Sequence, residues 1–393
     1  MTRRIIIATL IKLLINTGRR FAYPFAPALS RELAVPLTSI TTILATGQAV
    51  SLLGLFSGPL ADRTGYRFMM RSGLAMLAIG MLVCGLVPHY IPVFTGLVVA
   101  SFGKTIFDPA IQAFIGHTIP YSKRGRVVGI IEMSWAGSTL IGIPALALII
   151  DHAGFRTAFF LFTLTAGIGW AAMASVIPKE NVNTGCGPQK NAPFFIMLWQ
   201  LLKQRTTAGM LAFAFWISLA NDCLFVTYGA WFEEAFLASI VTIGFSTIAI
   251  GSAEFLGESL TALFADRIGL QRALIIGLIL SSSSYLLIPL IGHSLIWAMV
   301  SIFFVFLTFE FMIVTSFSLC TELLPESRAT MMAGFYASAG IGRMIGVMLG
   351  GLLWQFGGIN WVAIVSAVIT GIGLLSALWG LASWQAEPAE TRS

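Results

Sequence analysis

The chain has 393 residues, of which 57% are hydrophobic and only 10% charged, with a formal net charge of +6. An ordinary soluble domain carries about 25% charged residues, and a soluble chain of this length could not hide so much apolar surface. A soluble globular enzyme, a disordered chain, a collagen and a coiled coil are excluded, and the excess apolar surface must face lipid.

A transmembrane helix needs about 20 mostly apolar residues. Breaking the chain at polar and Gly/Pro clusters predicts twelve segments, numbered 1 to 12 along the chain: 5–29, 37–60, 68–88, 92–117, 127–150, 157–177, 207–230, 240–264, 273–291, 295–321, 329–354 and 361–384. Most connections are short, so successive helices are antiparallel neighbours. One long connection, 178–206, holds Pro178, Gly185, Gly187, Pro188 and Pro193. It divides the chain into a six-helix unit over 1–178, a linker over 179–206 and a second six-helix unit over 207–393. Within the linker, Pro193–Arg205 resembles an amphipathic helix lying on the membrane surface, with Lys203 and Arg205 at its end. The expected fold is an all-α membrane protein of twelve helices in two pseudo-symmetric bundles.

Arg3 and Arg4 before an apolar run resemble a signal peptide. Arg19 and Arg20 interrupt that run and no A-x-A site follows, so segment 1 reads as a retained helix. The basic residues set the orientation. With the N-terminus inside, sixteen Lys and Arg fall on inner segments, among them Arg63, Arg67, Arg71, Lys123, Arg124, Arg126, Arg267, Arg272 and Arg328; the outer loops hold only Arg31 and Arg156. Both termini are expected in the cytoplasm, and the positive net charge reflects topology. It does not mark a nucleic-acid partner, which would want a basic soluble face.

The segment Ala61-Asp62-Arg63-Thr64-Gly65 recurs 204 residues later as Ala265-Asp266-Arg267-Ile268-Gly269. Pro120 with Arg124 recurs as Pro325 with Arg328 at nearly the same offset. Both loop types follow corresponding segments of each half, as in parallel repeats related by an axis along the membrane normal.

A charge at mid-membrane costs on the order of 3 kcal/mol on insertion scales. Eleven lie in or near such positions: Lys12, Arg19, Arg20, Lys104 and Arg343 against Asp108, Glu132, Asp222, Glu254, Glu258 and Glu310. Their spacing puts them on single helical faces. Segment 1 carries Lys12, Asn16, Arg20 and Tyr23 with Arg19 alongside. Segment 4 carries Ser101, Lys104, Asp108 and Gln112, and segment 8 carries Thr247, Gly251, Glu254, Glu258 and Thr261. Segment 2 shows a weaker polar face of Thr41, Gln48 and Ser51, and Asn221 and Asp222 lie in segment 7.

Several of these groups have structural readings as well. Lys104 and Asp108, four apart, can form an ion pair within one helix. Lys12 can snorkel to the inner surface. Glu132 and Glu258 can serve a latch or an interface, and Arg343 can pair with Glu310. Arg19 and Arg20 lie too deep for both to reach water, so they bind acids such as Asp108 or an anionic group of a cargo. Trp135, Trp216, Phe107, Phe213, Tyr228 and Tyr336 line a pocket or pack. A carboxylate in a dry cavity is disposed to take up a proton, which makes Glu254, Asp222, Asp108 and Glu310 candidates for proton coupling.

Gly58-Pro59-Leu60-Ala61-Asp62-Arg63-Thr64-Gly65-Tyr66-Arg67 resembles the loop 2–3 signature of the major facilitator superfamily, roughly G-x-L-A-D-R-x-G-R-[KR]. Tyr66 stands where a basic residue is usual, and the repeat copy has Ala262 in place of the leading Gly. Arg19-Arg20-Phe21-Ala22-Tyr23-Pro24-Phe25, Asp108-Pro109-Ala110 and Ser122-Lys123-Arg124-Gly125-Arg126 are similar to the bacterial efflux-permease branch of that superfamily. His117 departs from the acidic residue that many relatives carry there, and Gly137 to Ala147 keeps only part of the exporter signature. The resemblance implies a conformational latch made of Gly58, Asp62, Arg63, Gly65, Arg67, Asp266, Arg267 and Gly269. It also implies a cavity lined by segments 1, 4, 7 and 10, with 2, 5, 8 and 11 beside them. On this chain the cavity set is Asn16, Arg19, Arg20, Tyr23, Gln48, Lys104, Asp108, Gln112, Asn221, Asp222, Glu310 and Arg343.

The sequence thus predicts a secondary transporter that works by alternating access and exports a small amphiphilic compound in exchange for protons. Proton-coupled uptake of a sugar or organic anion is the alternative. The expected partners are the small molecule, protons and the bilayer of a bacterial inner membrane, with the chain a monomer. No cofactor or metal is expected: Cys84, Cys186, Cys223 and Cys320 lie far apart, and the four His form no HExxH pattern. No GxxxxGK[ST] loop is present for ATP, and no nucleophile–base constellation for catalysis. A channel would want a pore-lining ring, which twelve segments in pseudo-repeat argue against.

Overall fold

The computed structural model describes residues 2–53, 64–118, 121–177, 199, 201–323 and 328–382, and these residues form helices, turns and no strand. Among the described residues, eight helices are long and apolar enough to cross a membrane, or nine if the bent pair Ala26–Glu32 and Leu37–Val50 is one span. Two of them, Ile130–Ser175 and Met331–Leu381, run for 46 and 51 residues, about twice what a bilayer needs at 1.5 Å rise per residue. Each is broken by non-helical glycine, at Gly154 and at Gly357–Gly358, and so covers two expected segments. Segment 1 is the helix Thr2–Arg20, with its many charges. With the two long helices divided, the described helices fall on all twelve expected segments.

Segment 1 does not run unbroken to residue 29. Its helix ends at Arg20, residues 21–25 form turns, and a short helix Ala26–Glu32 follows. Pro24 has no N–H to give to the Arg20 carbonyl, which accepts from Tyr23 N at 3.1 Å instead. The break presents Tyr23 to the second half.

The backbone records the sequence repeat. Gly65 (φ 89°) and Gly269 (φ 92°) stand 204 residues apart, each at the start of the next long helix. Gly154 (φ 75°) and Gly358 (φ 63°), also 204 apart, break the two long helices. Ala34 (φ 51°) and Leu237 (φ 50°) occupy the matching turns after segments 1 and 7. With ψ at 129°, Gly269 lies in a region that residues other than Gly rarely enter, and apart from its own local chain nothing lies within 4 Å of where its Cβ would sit. Gly269→Ala therefore loses about 1–3 kcal/mol of stability through backbone strain alone. Thermal unfolding in detergent should show Gly269→Asn no better than Ala, because Asn favours a different positive-φ basin.

Lipid tails supply no hydrophobic force between helices, so close packing does the work. Segments 3 and 4 meet at Gly73 against Gly103 and at Gly80 against Gly96. Segment 11 lays Gly342, Gly346 and Gly350 on the backbone of Phe215, Leu219 and Cys223 in segment 7. Apolar side chains such as Leu164, Ile168, Ile276 and Leu375 stay exposed, as a lipid-facing wall requires.

Candidate functional site

The polar faces of segments 1, 4 and 5 meet inside the first half. Lys12 donates to Glu132 Oε1 at 2.6 Å, and Gln112 donates to the same oxygen. Lys104 bridges Asn16 Oδ1 at 2.6 Å and Asp108 Oδ2 at 2.5 Å, while Asn16 Nδ2 donates to Ser134 Oγ at 3.1 Å. The intrahelical Lys104–Asp108 pair is present as the spacing allows. Lys12, expected to snorkel, is buried, because Glu132 and its helix hold it inside the half. Among the described residues, Glu132 meets Lys12 and Gln112 of its own half.

Arg20 crosses to the second half. Its two terminal nitrogens reach both carboxylate oxygens of Glu254, at 2.5 and 3.2 Å, a two-pronged geometry that fits guanidinium to carboxylate. Its acid is Glu254 and not Asp108. The guanidinium also donates to the Trp135 carbonyl at 3.2 Å and lies 4.2 Å from the Trp135 ring centroid. Thr139 donates to Glu254 Oε2 at 3.0 Å.

Segment 5 can offer these acceptors because of a π-helical stretch, Ser138–Gly142. Such stretches shift the backbone hydrogen-bond register and expose carbonyls. Pro144 follows and has no N–H to give to the Thr139 carbonyl. That carbonyl instead accepts from the Thr247 hydroxyl of segment 8 at 2.7 Å. Thr247→Val leaves this buried acceptor unmet and should cost about 1–3 kcal/mol. Denaturation midpoints of Thr247→Val and Thr247→Ser check it, Ser keeping the bond.

A second line also links the halves. Arg19 Nη2 donates to Gln48 Oε1 at 2.5 Å, Gln48 Nε2 to Tyr23 OH at 2.5 Å, and Tyr23 OH to Asp222 Oδ1 at 3.1 Å. Arg343 Nε stands 3.8 Å from Asp222 Oδ2, too far for a hydrogen bond. Arg343 thus faces Asp222 and not Glu310. Tyr23 stacks on Phe225 with ring centroids 4.6 Å apart. Asn221 is buried beside Asp222 with Oδ1 unmet. Glu310 is buried, within electrostatic reach of Glu254 and Glu258, and makes no hydrogen bond or ion pair among the described residues.

Among the described residues, several contacts between the halves lie toward the face away from the N-terminus. There Arg31 pairs with Glu233, Gly229 sits against Pro24, Gly244 against Ala147 and Gly351 against Thr41. Toward the N-terminal face the charged groups become accessible: the side chains of Glu132, Asp108 and Arg343 are 41%, 34% and 32% exposed. Tyr336 of segment 11, 56% exposed, shares that space with all three.

Of the residues expected to line a cavity, Arg20 and Tyr23 reach the second half, where Asp222 and Arg343 lie, whereas Asn16, Lys104, Asp108 and Gln112 bond within the first half. Of the aromatic candidates, Trp135 lies under Arg20, Tyr336 lines the opening, and Phe107, Phe213 and Tyr228 are wholly buried in packing. Trp216 packs edge-on against Phe215. Of the latch candidates, Gly58, Asp62 and Arg63 lie outside the described residues, as does the side chain of Asp266; Gly65 and Gly269 start the following helices, and Arg67 and Arg267 lie on the N-terminal face. Most of Pro193–Arg205 is likewise outside them. Sequence reasoning missed Ser134, Ser138, Thr139, Phe225 and the Trp135 carbonyl; Pro144 after a glycine-bounded stretch was the signal for the irregular backbone.

The Major Facilitator Superfamily model matches residues 8–234 and 210–393. The MFS-type transporter YceJ of Bacillus subtilis is 22% identical over 347 residues, which cover 88% of this chain and 87% of that protein. The multidrug resistance protein MdtG of Salmonella typhimurium is 28% identical over 300 residues, 70% of this chain and 69% of that one. A solved bacterial homologue of the human lysosomal transporter Spinster, in an inward-facing and unoccupied conformation, superposes with a TM-score of 0.79 at 15% identity, over 98% of this chain and 99% of that one. With the family match running through both halves of a helical membrane fold, the chain belongs to the Major Facilitator Superfamily of transporters.

Proposed function

We propose that the chain is a proton-coupled exporter of a small amphiphilic compound. It works as a monomer in a bacterial inner membrane with both termini in the cytoplasm. Two rocking units, 1–178 and 207–393, joined by 179–206, alternate access to the cavity, and the loop 2–3 residues and their repeat copy latch the inner face. The observation that carries this reading is the closed far face, pinned by Arg20–Glu254, over charged groups open toward the N-terminal face. Likeness to MdtG, a multidrug resistance protein, supports export.

Of the four candidate proton carriers, Glu254 is held by Arg20 and Thr139, Asp108 by Lys104, and Asp222 by Tyr23 beside Arg343. Glu310 has no such partner among the described residues and is the carrier we favour, since an isolated ionised carboxylate is costly to bury. Uptake of an organic anion is the second reading, favoured by Arg19, which touches no carboxylate among the described residues.

A thermal-stability screen of the purified protein against organic anions, sugars and lipophilic cations should yield a stabilising compound. Its flux in proteoliposomes should then depend on an imposed pH gradient. Flux indifferent to the gradient would sink the coupling, and accumulation with the proton rather than against it would select uptake.

A further inference from the structure

Among the described residues, Lys12, Arg19, Arg20, Lys104 and Arg343 are the basic side chains expected deep in the membrane, and four of them face a carboxylate within 4 Å. Lys12 meets Glu132, Arg20 meets Glu254, Lys104 meets Asp108 and Arg343 meets Asp222. Arg19 is the exception. Its one hydrogen bond among the described residues goes to a neutral amide oxygen, Gln48 Oε1 at 2.5 Å. Asp108 and Asp222 act on it from a distance, but each already serves another cation. The acids left without a cation, Glu258 and Glu310, sit near Glu254 and make no contact with Arg19.

Arg19 also borders an opening. A cavity between segments 1, 2 and 4, of about 20 Å³, is lined by Arg19, Tyr23 and Gln48 on its polar side and by Ile43, Leu44 and Leu97 on its apolar side. That is room for about one water molecule, enough for one oxygen of a head group and not for a whole cargo. Nearby, the Arg343 Nε is buried and unbonded. A guanidinium offers five N–H donors in a planar fork matched to a carboxylate, and Arg19 spends one of them on Gln48.

We infer that the cargo is an amphiphilic monoanion, and that Arg19 holds its acidic group beside Gln48 and Tyr23. The acid supplies the contacting carboxylate that Arg19 lacks among the described residues. The apolar body lies against Ile43, Leu44 and Leu97 of the cavity wall, and the cavity widens to take it. This inference rests on the proposed transport function and names its substrate class. It is tested by equilibrium binding in detergent, without any gradient, so its failure is distinguishable from a failure of proton coupling.

The test uses two matched probe series on the whole purified chain: 1-naphthoate, 1-naphthamide and 1-naphthylmethylammonium, and decanoate, decanamide and decylammonium. Saturable thermal stabilisation or calorimetry gives the affinity of each. In at least one series the carboxylate should bind at least tenfold more tightly than its amide and its ammonium analogue. Arg19→Gln should erase that preference, with the protein still folded by its unliganded unfolding midpoint, and Arg19→Lys should keep the preference at lower affinity. A merely structural Arg19 would weaken all three probes alike. Equal affinities across both series, no binding in either, an ammonium preference, or a preference that survives in Arg19→Gln would each overturn the inference.

Discussion

Glu254→Gln and Arg20→Met should each destabilise the closed far face by about 3–5 kcal/mol, the usual cost of leaving one charge of a buried pair without its partner. Arg20 and Glu254 are both nearly inaccessible, and each bonds the other through two atoms. Neither charge can reach water without parting the halves. The double replacement Arg20→Met with Glu254→Met removes both charges and should recover most of the loss. A shift of about 5.5 kcal/mol carries a two-state equilibrium from 1:99 to 99:1, so the single variants should favour opening of the far face. That opening is readable by alkylation of Thr41→Cys after replacement of the native cysteines. Thr41 is buried against Gly351 in this state. Labelling should accelerate in both single variants and return toward the parent rate in the double variant. Unchanged unfolding and labelling in both single variants would show that the pair clamps nothing.

The architecture was legible because lipid imposes it. Apolar length, short connections and the basic residues of one set of loops specify spans without any knowledge of packing, and the Ala-Asp-Arg-x-Gly repeat marked both Gly65 and Gly269. Periodicity likewise put Lys12, Asn16 and Arg20 on one face, and Lys104, Asp108 and Gln112 on another. What it could not give was which cation takes which acid. Arg20 and Glu254 are 234 residues apart, and Arg19, its chain neighbour, points toward Gln48 instead. Such choices depend on the rotation of one helix against another, which a turn at Pro24 or a π-helical stretch before Pro144 resets by a fraction of a turn. A helical template applied to segments 1 and 5 has no place for either irregularity. The Arg343–Asp222 pairing was missed for the same reason, because segments 7, 10 and 11 are contiguous only in space.

Glu310→Gln should abolish accumulation driven by a pH gradient while leaving exchange without a gradient nearly intact. One proton moving down a one-unit gradient supplies about 1.36 kcal/mol, which supports about tenfold accumulation; in the variant the ratio should fall to about one. Gln keeps the size and burial of Glu310, whose Cβ fits against Gly257 of segment 8, so the packing of segments 8 and 10 survives. The location supplies a reason for coupling. Glu310 lies within electrostatic reach of Glu254, and Glu254 anchors Arg20 across the two halves. When Glu310 gives up its proton, a second negative charge appears next to that anchor. It repels Glu254 and competes for Arg20, so the protonation state of one carboxyl biases whether the far face stays pinned. Proteoliposome flux of a compound identified by the stability screen, with and without the gradient, separates this from the clamp itself. Glu254→Gln should slow the cycle yet keep gradient dependence in the residual flux, whereas Glu310→Gln should lose the dependence at a near-normal exchange rate. Tenfold accumulation persisting in Glu310→Gln would move the proton elsewhere in the network, with Asp222 the next group to replace.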